Sequence, residues 1–97
     1  MRDVKKKIRA MRKIELGGIM IGKILTYMRK INKLSQEELA KMTNFAPSTI
    51  SGWETNYRQA TFENIEKYAN VCGYDIEFIN RITGDKINTK NIERKEI

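Results

Sequence analysis

The sequence predicts a mainly α-helical domain of four to five short helices, followed by a C-terminal β-strand or hairpin. Apolar residues recur at helical spacing in successive segments, and helix-start signals precede three of those segments. After residue 73 the pattern changes to a two-residue alternation, which is typical of a strand. The 97 residues are enough for one domain with one modest core.

The first 19 residues are a basic segment that precedes the predicted domain. They carry seven basic and two acidic side chains, with apolar residues at roughly helical spacing at Val4, Ile8, Met11 and Ile14. We expect a short amphipathic helix or a loose basic arm, ending at the Gly17–Gly18 pair. The letters GGIM also fit codons for a bacterial ribosome-binding sequence before a start at Met20, in which case residues 1–19 precede the native start.

Two helices are expected between residues 21 and 42. The first is predicted to begin at Ile21, because its apolar side chains then share one face: Ile21, Leu25, Met28 and Ile31. The second is predicted from about Gln36 to Met42. Ser35 and Glu38 have the S-x-x-E spacing of a capping box, in which each side chain binds a backbone N–H of the first helical turn.

A sharp turn and two further helices are predicted next. Asn44 tolerates a left-handed backbone, and Pro47 has the fixed φ that suits the first turn of a helix. The third helix is therefore expected from about Pro47 to Glu54. The fourth follows Thr61 as N-cap and ends at Gly73. Its buried stripe is predicted to consist of Phe62, Ile65, Ala69 and Cys72.

Residues 74–82, with the sequence YDIEFINRI, alternate in a way that favours a strand. Tyr74, Ile76, Phe78 and Ile82 are expected on one side. The turn signal TGDK and the following INTKNI allow a returning strand. Because an isolated hairpin is marginal, we expect it to pack on the helices or to pair with a second copy of the chain.

The composition argues against catalysis. The chain has no histidine, which removes the commonest general base and most zinc chemistry. A single cysteine, Cys72, excludes an internal disulfide and a cysteine-cluster zinc site, and it is expected in the core. The acidic residues form no pair of candidate general acid and base. We therefore expect no enzyme activity, no metal and no cofactor.

The sequence also bears on location and on charge. No apolar run reaches the roughly 18 residues of a membrane span, and the N-terminus lacks the apolar stretch of a secretory signal, so a cytoplasmic protein is expected. The net charge is +7, but residues 20–79 hold seven basic and seven acidic side chains. Such a neutral centre is compatible with DNA binding only if its cations gather on one face.

The segment IGKILTYMRK, followed by LSQEELAKMTNFAPSTISGWE, resembles the Cro and lambda-repressor-like (XRE) helix-turn-helix family. The similarity extends from about Ile21 to Ile76. It implies a lambda-repressor-like bundle over residues 20–73, in which helix 47–54 enters the major groove of double-stranded DNA. Residues 1–19 would be a basic extension or arm, and residues 74–97 a hairpin, candidate dimerisation element and tail.

The resemblance also implies roles for individual residues. The outer face of the third helix is expected to hold the DNA-reading positions Pro47, Ser48, Thr49, Ser51 and Gly52. Gln36 matches a phosphate-binding position, and Asn56, Tyr57 and Arg58 match a loop that contacts the DNA backbone. The inward residues are expected to be Leu39, Ala40, Phe45, Ile50 and Trp53, and Arg29 is expected to pair with Glu54.

The expected readout of bases is limited, since neither Pro47 nor Gly52 can make a bidentate side-chain contact. Recognition is therefore expected to depend on Ser48, Thr49 and Ser51, on contact with thymine methyl groups and on DNA shape. Substitution of Arg58 is expected to weaken binding to all sequences. Lys30, Lys33 and Lys41 are weaker candidates for phosphate contact.

The expected function is a sequence-specific transcriptional regulator, a repressor or autoregulator encoded by a bacterium or phage. It would act as a homodimer on a palindromic operator with half-sites roughly 34 Å apart. The alternative is an antitoxin-type or mobile-element regulator that also binds a partner protein, such as a toxin, through its C-terminal or N-terminal segment. The N-terminal arm could in addition enter the minor groove or lie along phosphates.

Overall fold

A computed structural model describes residues 18–96 of the chain. The predicted basic arm, up to residue 17, lies outside the described residues. Within them the elements are α1 (Gly18–Ile31), α2 (Gln36–Thr43), α3 (Pro47–Glu54), α4 (Phe62–Val71), β1 (Phe78–Ile79), β2 (Lys86–Ile87) and a 3₁₀ turn (Ile92–Arg94). The mainly α-helical prediction with a C-terminal hairpin is confirmed.

The helix-start signals act as predicted. Ser35 Oγ accepts a hydrogen bond of 3.0 Å from Glu38 N, and Glu38 Oε1 accepts one of 2.8 Å from Ser35 N, which completes the capping box. Pro47 is the first residue of α3. Thr61 Oγ1 caps α4 by accepting from Asn64 N at 3.2 Å. The helices α2, α3 and α4 therefore begin where their start signals predict.

The turns after the helices contain residues with a left-handed backbone conformation. Asn44 ends α2 with φ of 64°, Asn56 follows α3 with φ of 63°, and Gly73 follows α4 with φ of 85°. Lys33, between α1 and α2, has φ of 58°. Only α1 departs clearly from its expected start, because Gly18, which was expected to belong to a flexible break, is its first residue.

The core lies between the four helices. Its buried apolar side chains are Leu25, Met28, Leu39, Ala40, Ile50, Trp53, Tyr68, Ala69 and Cys72. Two predictions were wrong. Ile31 is 56% exposed, because the buried face of α1 consists of Leu25, Met28 and Arg29, and Ile31 lies outside that face. Phe62 is 38% exposed and packs on the hairpin instead, with its ring centroid 5.8 Å from that of Phe78.

The C-terminal hairpin is shorter than the alternation predicts. Phe78 pairs with Ile87 and Ile79 with Lys86 in an antiparallel register. The strand ends at Ile79, and the side chain of the next residue, Asn80, accepts hydrogen bonds from the backbone N–H groups of Ile82 and Thr83 at 2.9 and 3.2 Å. Ile82, expected on the apolar side of the strand, therefore lies in the turn and is 95% exposed.

Candidate nucleic-acid interface

The outer face of α3 carries short side chains. Pro47 and Ser48 are exposed, and Thr49 and Ser51 are half-buried. On the opposite face Ile50 is fully buried and Trp53 is 5% exposed. The Phe45 ring, in the turn before α3, meets the Trp53 ring edge to face with centroids 4.8 Å apart. The helix is thus packed on one side and presents small polar groups on the other.

Gly52, expected among the DNA-reading positions of this face, is covered by another residue. Gly52 is buried, because the side chain of Arg58 lies across it. A Cβ atom at residue 52 would be 3.0 Å from Arg58 Cδ and 3.1 Å from Cγ. The backbone N–H of Arg58 also donates a 3.0 Å hydrogen bond to the Gly52 carbonyl.

The three loop residues that follow α3 differ in their surroundings. Tyr57 is 85% exposed, and Arg58 is exposed despite its contact with Gly52. Asn56 is half-buried, and its amide lies against Gly22 of α1: a Cβ atom at residue 22 would be 2.8 Å from Asn56 Oδ1 and 2.5 Å from the Glu54 carbonyl oxygen. The absence of a side chain at Gly22 thus allows α1 to contact the end of α3.

Glu54, the last residue of α3, accepts four hydrogen bonds on its carboxylate. Arg29 donates two of them, from Nε to Oε2 and from Nη2 to Oε1, each 2.8 Å long. Tyr68 Oη lies 2.6 Å from Oε2, and Gln36 Nε2 lies 3.0 Å from Oε1. The predicted Arg29–Glu54 pair is therefore present, and it joins all four helices at one point.

Two backbone carbonyl groups also contact this network of Glu54, Arg29, Tyr68 and Gln36. Arg29 Nη1 donates a 2.8 Å hydrogen bond to the carbonyl of Leu34, just before α2. The Tyr68 hydroxyl also lies 2.8 Å from the Leu25 carbonyl, and its single proton goes to the carboxylate of Glu54, the charged and nearer acceptor. No buried polar side-chain atom of the described residues lacks a partner.

The pKa values of the network follow from these contacts. Burial alone would raise the pKa of Glu54, but the hydrogen bonds from Arg29, Tyr68 and Gln36 outweigh it and hold that pKa below its ordinary value. The hydrogen bond with Glu54 raises the pKa of Arg29. Burial, followed by the hydrogen bond to Glu54, raises the pKa of Tyr68. At neutral pH Arg29 and Glu54 are therefore both ionised, and the Tyr68 hydroxyl is neutral.

Gln36, the predicted phosphate-binding residue, is half-buried at the first position of α2. Because its Nε2 donates to Glu54 Oε1, the side chain is directed toward the last turn of α3. The structure thus brings Gln36 into contact with α3, whereas Lys30, Lys33 and Lys41 are exposed surface cations.

Tyr68 is the residue of this network that the sequence reasoning missed. It is fully buried, yet the predicted stripe of α4 omitted it. The signal was available, since Ile65, Tyr68, Ala69 and Cys72 follow the i, i+3, i+4, i+7 spacing of one helix face.

Residues 18–96 contain no group of three or more histidine, cysteine or acidic side chains that could hold a metal ion. No helix in this part of the chain has the length and apolar character needed to cross a membrane.

Among the comparisons with known proteins, the one with family models agrees with this architecture. No curated protein and no solved structure gave a significant match to the chain. A family model described as "Helix-turn-helix", HTH_3, matches residues 25–79, which is more than half of the 97 residues. The matched span includes α2, the turn, α3 and α4. HTH_3 is an XRE/lambda-repressor-like family of DNA-binding regulatory domains, and the chain belongs to it.

Proposed function

We propose that the protein is a sequence-specific transcriptional regulator, a repressor or autoregulator, that inserts α3 into the major groove of double-stranded DNA. The observation that carries this proposal is the arrangement of α3 itself. Ile50 and Trp53 fix its inner face, Glu54 fixes its end, and Ser48 and Ser51 lie on its outer face. A rigid helix with a slim polar face fits a groove about 12 Å wide.

Gln36 supports a phosphate contact beside α3. Its amide nitrogen has two hydrogens, and the bond to Glu54 uses only one. The second is free to donate to a phosphate oxygen, together with the backbone N–H groups at the start of α2. Pro47, Thr49, Asn56, Tyr57 and Arg58 also belong to the proposed DNA-contacting set. Exposed Lys30, Lys33 and Lys41 would add a salt-dependent attraction.

The regulator is proposed to act as a homodimer on a palindromic operator. One 8-residue recognition helix with short side chains offers few base contacts, and a two-fold dimer doubles them. The C-terminal hairpin supports self-association. Phe78 and Ile92 are 56% and 48% exposed, and with Ile87 they line an apolar groove beside a short sheet that has only two strands within residues 18–96.

A second candidate function is an antitoxin-type or mobile-element regulator in a bacterial or phage cytoplasm. The same apolar hairpin surface favours it, because a partner protein could cover Phe78 and Ile92 instead of a second copy. The molar mass of the purified chain at micromolar concentration separates the two candidates. A dimer that becomes monomeric in Phe78→Ser supports self-association, whereas a monomeric wild type contradicts it.

Footprinting on the DNA upstream of the coding sequence tests the main proposal. A protected site with two-fold symmetry, lost as salt is raised, is the expected result. Protection spread evenly along the DNA, or none at any salt concentration, would contradict sequence-specific regulation at that DNA. A Ser48→Ala variant should retain the footprint with relaxed discrimination at one base pair.

A further inference from the structure

We propose that Arg58 reads a guanine in the major groove and is the main specificity-determining side chain of this domain. This inference rests on the proposed DNA-binding function. It replaces the expectation from the sequence that Arg58 contacts only the DNA backbone and affects all sequences alike.

The first argument is where the stem of Arg58 lies. Gly52 follows Ser48 by four residues, so both positions belong to one strip of the outer face of α3. The Cβ, Cγ and Cδ atoms of Arg58 lie 3.4, 3.1 and 3.0 Å from the site that a Cβ atom of residue 52 would occupy. The Arg58 stem therefore takes the space of the side chain that α3 lacks at Gly52.

The second argument is that Arg58 is fixed to α3 at its root. The left-handed Asn56 reverses the chain after α3, and the Arg58 N–H then donates to the Gly52 carbonyl at 3.0 Å. A long side chain whose backbone and stem are already positioned loses less conformational freedom on binding than one on a mobile loop. Arg58 thus has the rigid placement that base readout requires.

The third argument is chemical. The outer face of α3 otherwise offers the hydroxyl groups of Ser48, Thr49 and Ser51, which are short and select weakly among bases. A guanidinium group has a planar set of donors that matches the O6 and N7 acceptors of guanine. None of the ion pairs within residues 18–96 involves Arg58, and its side chain is exposed. Its guanidinium is therefore available to a base.

The test is a base-pair scan of a site selected from randomised DNA by the full-length wild-type protein. Each position is changed to the other three base pairs, and the Kd is measured at one fixed salt concentration. The variant is Arg58→Met, which keeps an apolar stem over Gly52 and removes only the guanidinium. Arg81→Ala, in the hairpin turn, is the matched control for the loss of one positive charge.

We expect the wild type to prefer one G·C pair by about tenfold or more, the range of a bidentate arginine contact. Arg58→Met should bind all four base pairs at that position within about twofold while keeping the other preferences, and Arg81→Ala should match the wild type. A uniform loss of affinity in Arg58→Met, with every preference intact, would overturn this inference but leave the proposed function standing. A wild type without any base preference would overturn both.

Discussion

Arg29 and Glu54 are joined by two parallel hydrogen bonds of 2.8 Å, although they are 25 residues apart in the chain. Their side chains are only 10% and 4% exposed. The contact links the last turn of α1 to the last residue of α3. Because the same carboxylate also accepts from Tyr68 and Gln36, the orientation of α3 depends on this one acidic group.

Glu54→Gln should lower the free energy of unfolding by about 3 kcal/mol, because it leaves the Arg29 guanidinium poorly solvated and without its anion. Urea denaturation measures this change. Asp75→Asn is the matched control, since it removes the carboxylate of the exposed Lys90–Asp75 pair and should leave stability unchanged. Equal effects of the two substitutions would show that Glu54 has no special structural role.

The stabilisation by Glu54 should depend on pH. Its pKa in the folded state lies below the ordinary value of 4.5, so it binds a proton less readily when folded than when unfolded. Its contribution is therefore fully present well above pH 4.5 and is lost as the pH falls through the folded pKa. The difference in unfolding free energy between wild type and Glu54→Gln should shrink in acid. A constant difference from neutral pH to acid would contradict the assignment.

Tyr68→Phe should destabilise the domain by about 2 kcal/mol, the usual range for a hydrogen bond to a charged group. The ring still fills the core, and the hydroxyl is lost together with its 2.6 Å hydrogen bond to Glu54 Oε2 and its 2.8 Å contact with the Leu25 carbonyl. Thermal and urea unfolding measure the change. Tyr57→Phe, whose side chain is 85% exposed, should be neutral, and a neutral Tyr68→Phe would mean that the hydroxyl adds nothing.

The substitutions Gly22→Ala and Gly52→Ala should have opposite effects on the free energy of unfolding. In Gly22→Ala the new Cβ would lie 2.5 Å from the Glu54 carbonyl, a backbone atom that cannot move aside, so a loss of about 1–3 kcal/mol is expected. In Gly52→Ala the neighbour is the exposed side chain of Arg58, which needs to give way by only a few tenths of an ångström and so keeps its place over α3. There the better helix propensity of alanine should raise stability by up to about 1 kcal/mol. Urea unfolding of both variants measures the two changes. A Gly22→Ala variant that is more stable than Gly52→Ala would contradict the predicted contacts.

The local signals of the helices could be predicted from the sequence, because they depend on neighbouring residues. The Ser35–Glu38 capping box and the left-handed Asn44 involve contacts within one or two turns, and both are confirmed. The Arg29–Glu54 pair is different. Its two residues are far apart in sequence, and only the family resemblance indicated that they meet.

The features that were missed depend on tertiary contacts. The spacing of α4 places the Tyr68 ring on the buried face, but no pattern within α4 reveals that its hydroxyl meets the Glu54 carboxylate of α3. Gly52 was expected to face outward, and the contact that covers it comes from a loop residue, Arg58, placed there by the turn at Asn56. Ile82 left the strand because Asn80 forms a turn with its own neighbours.

The most direct test of the account is the ratio of two dissociation constants. The full-length chain is titrated at physiological salt against its selected DNA site and against a scrambled duplex of the same composition. If α3 reads base edges, the selected site should bind at least about a thousandfold more tightly, and Ser48→Ala should lower that ratio. Equal affinity for the two duplexes would contradict the claim that this domain recognises a DNA sequence.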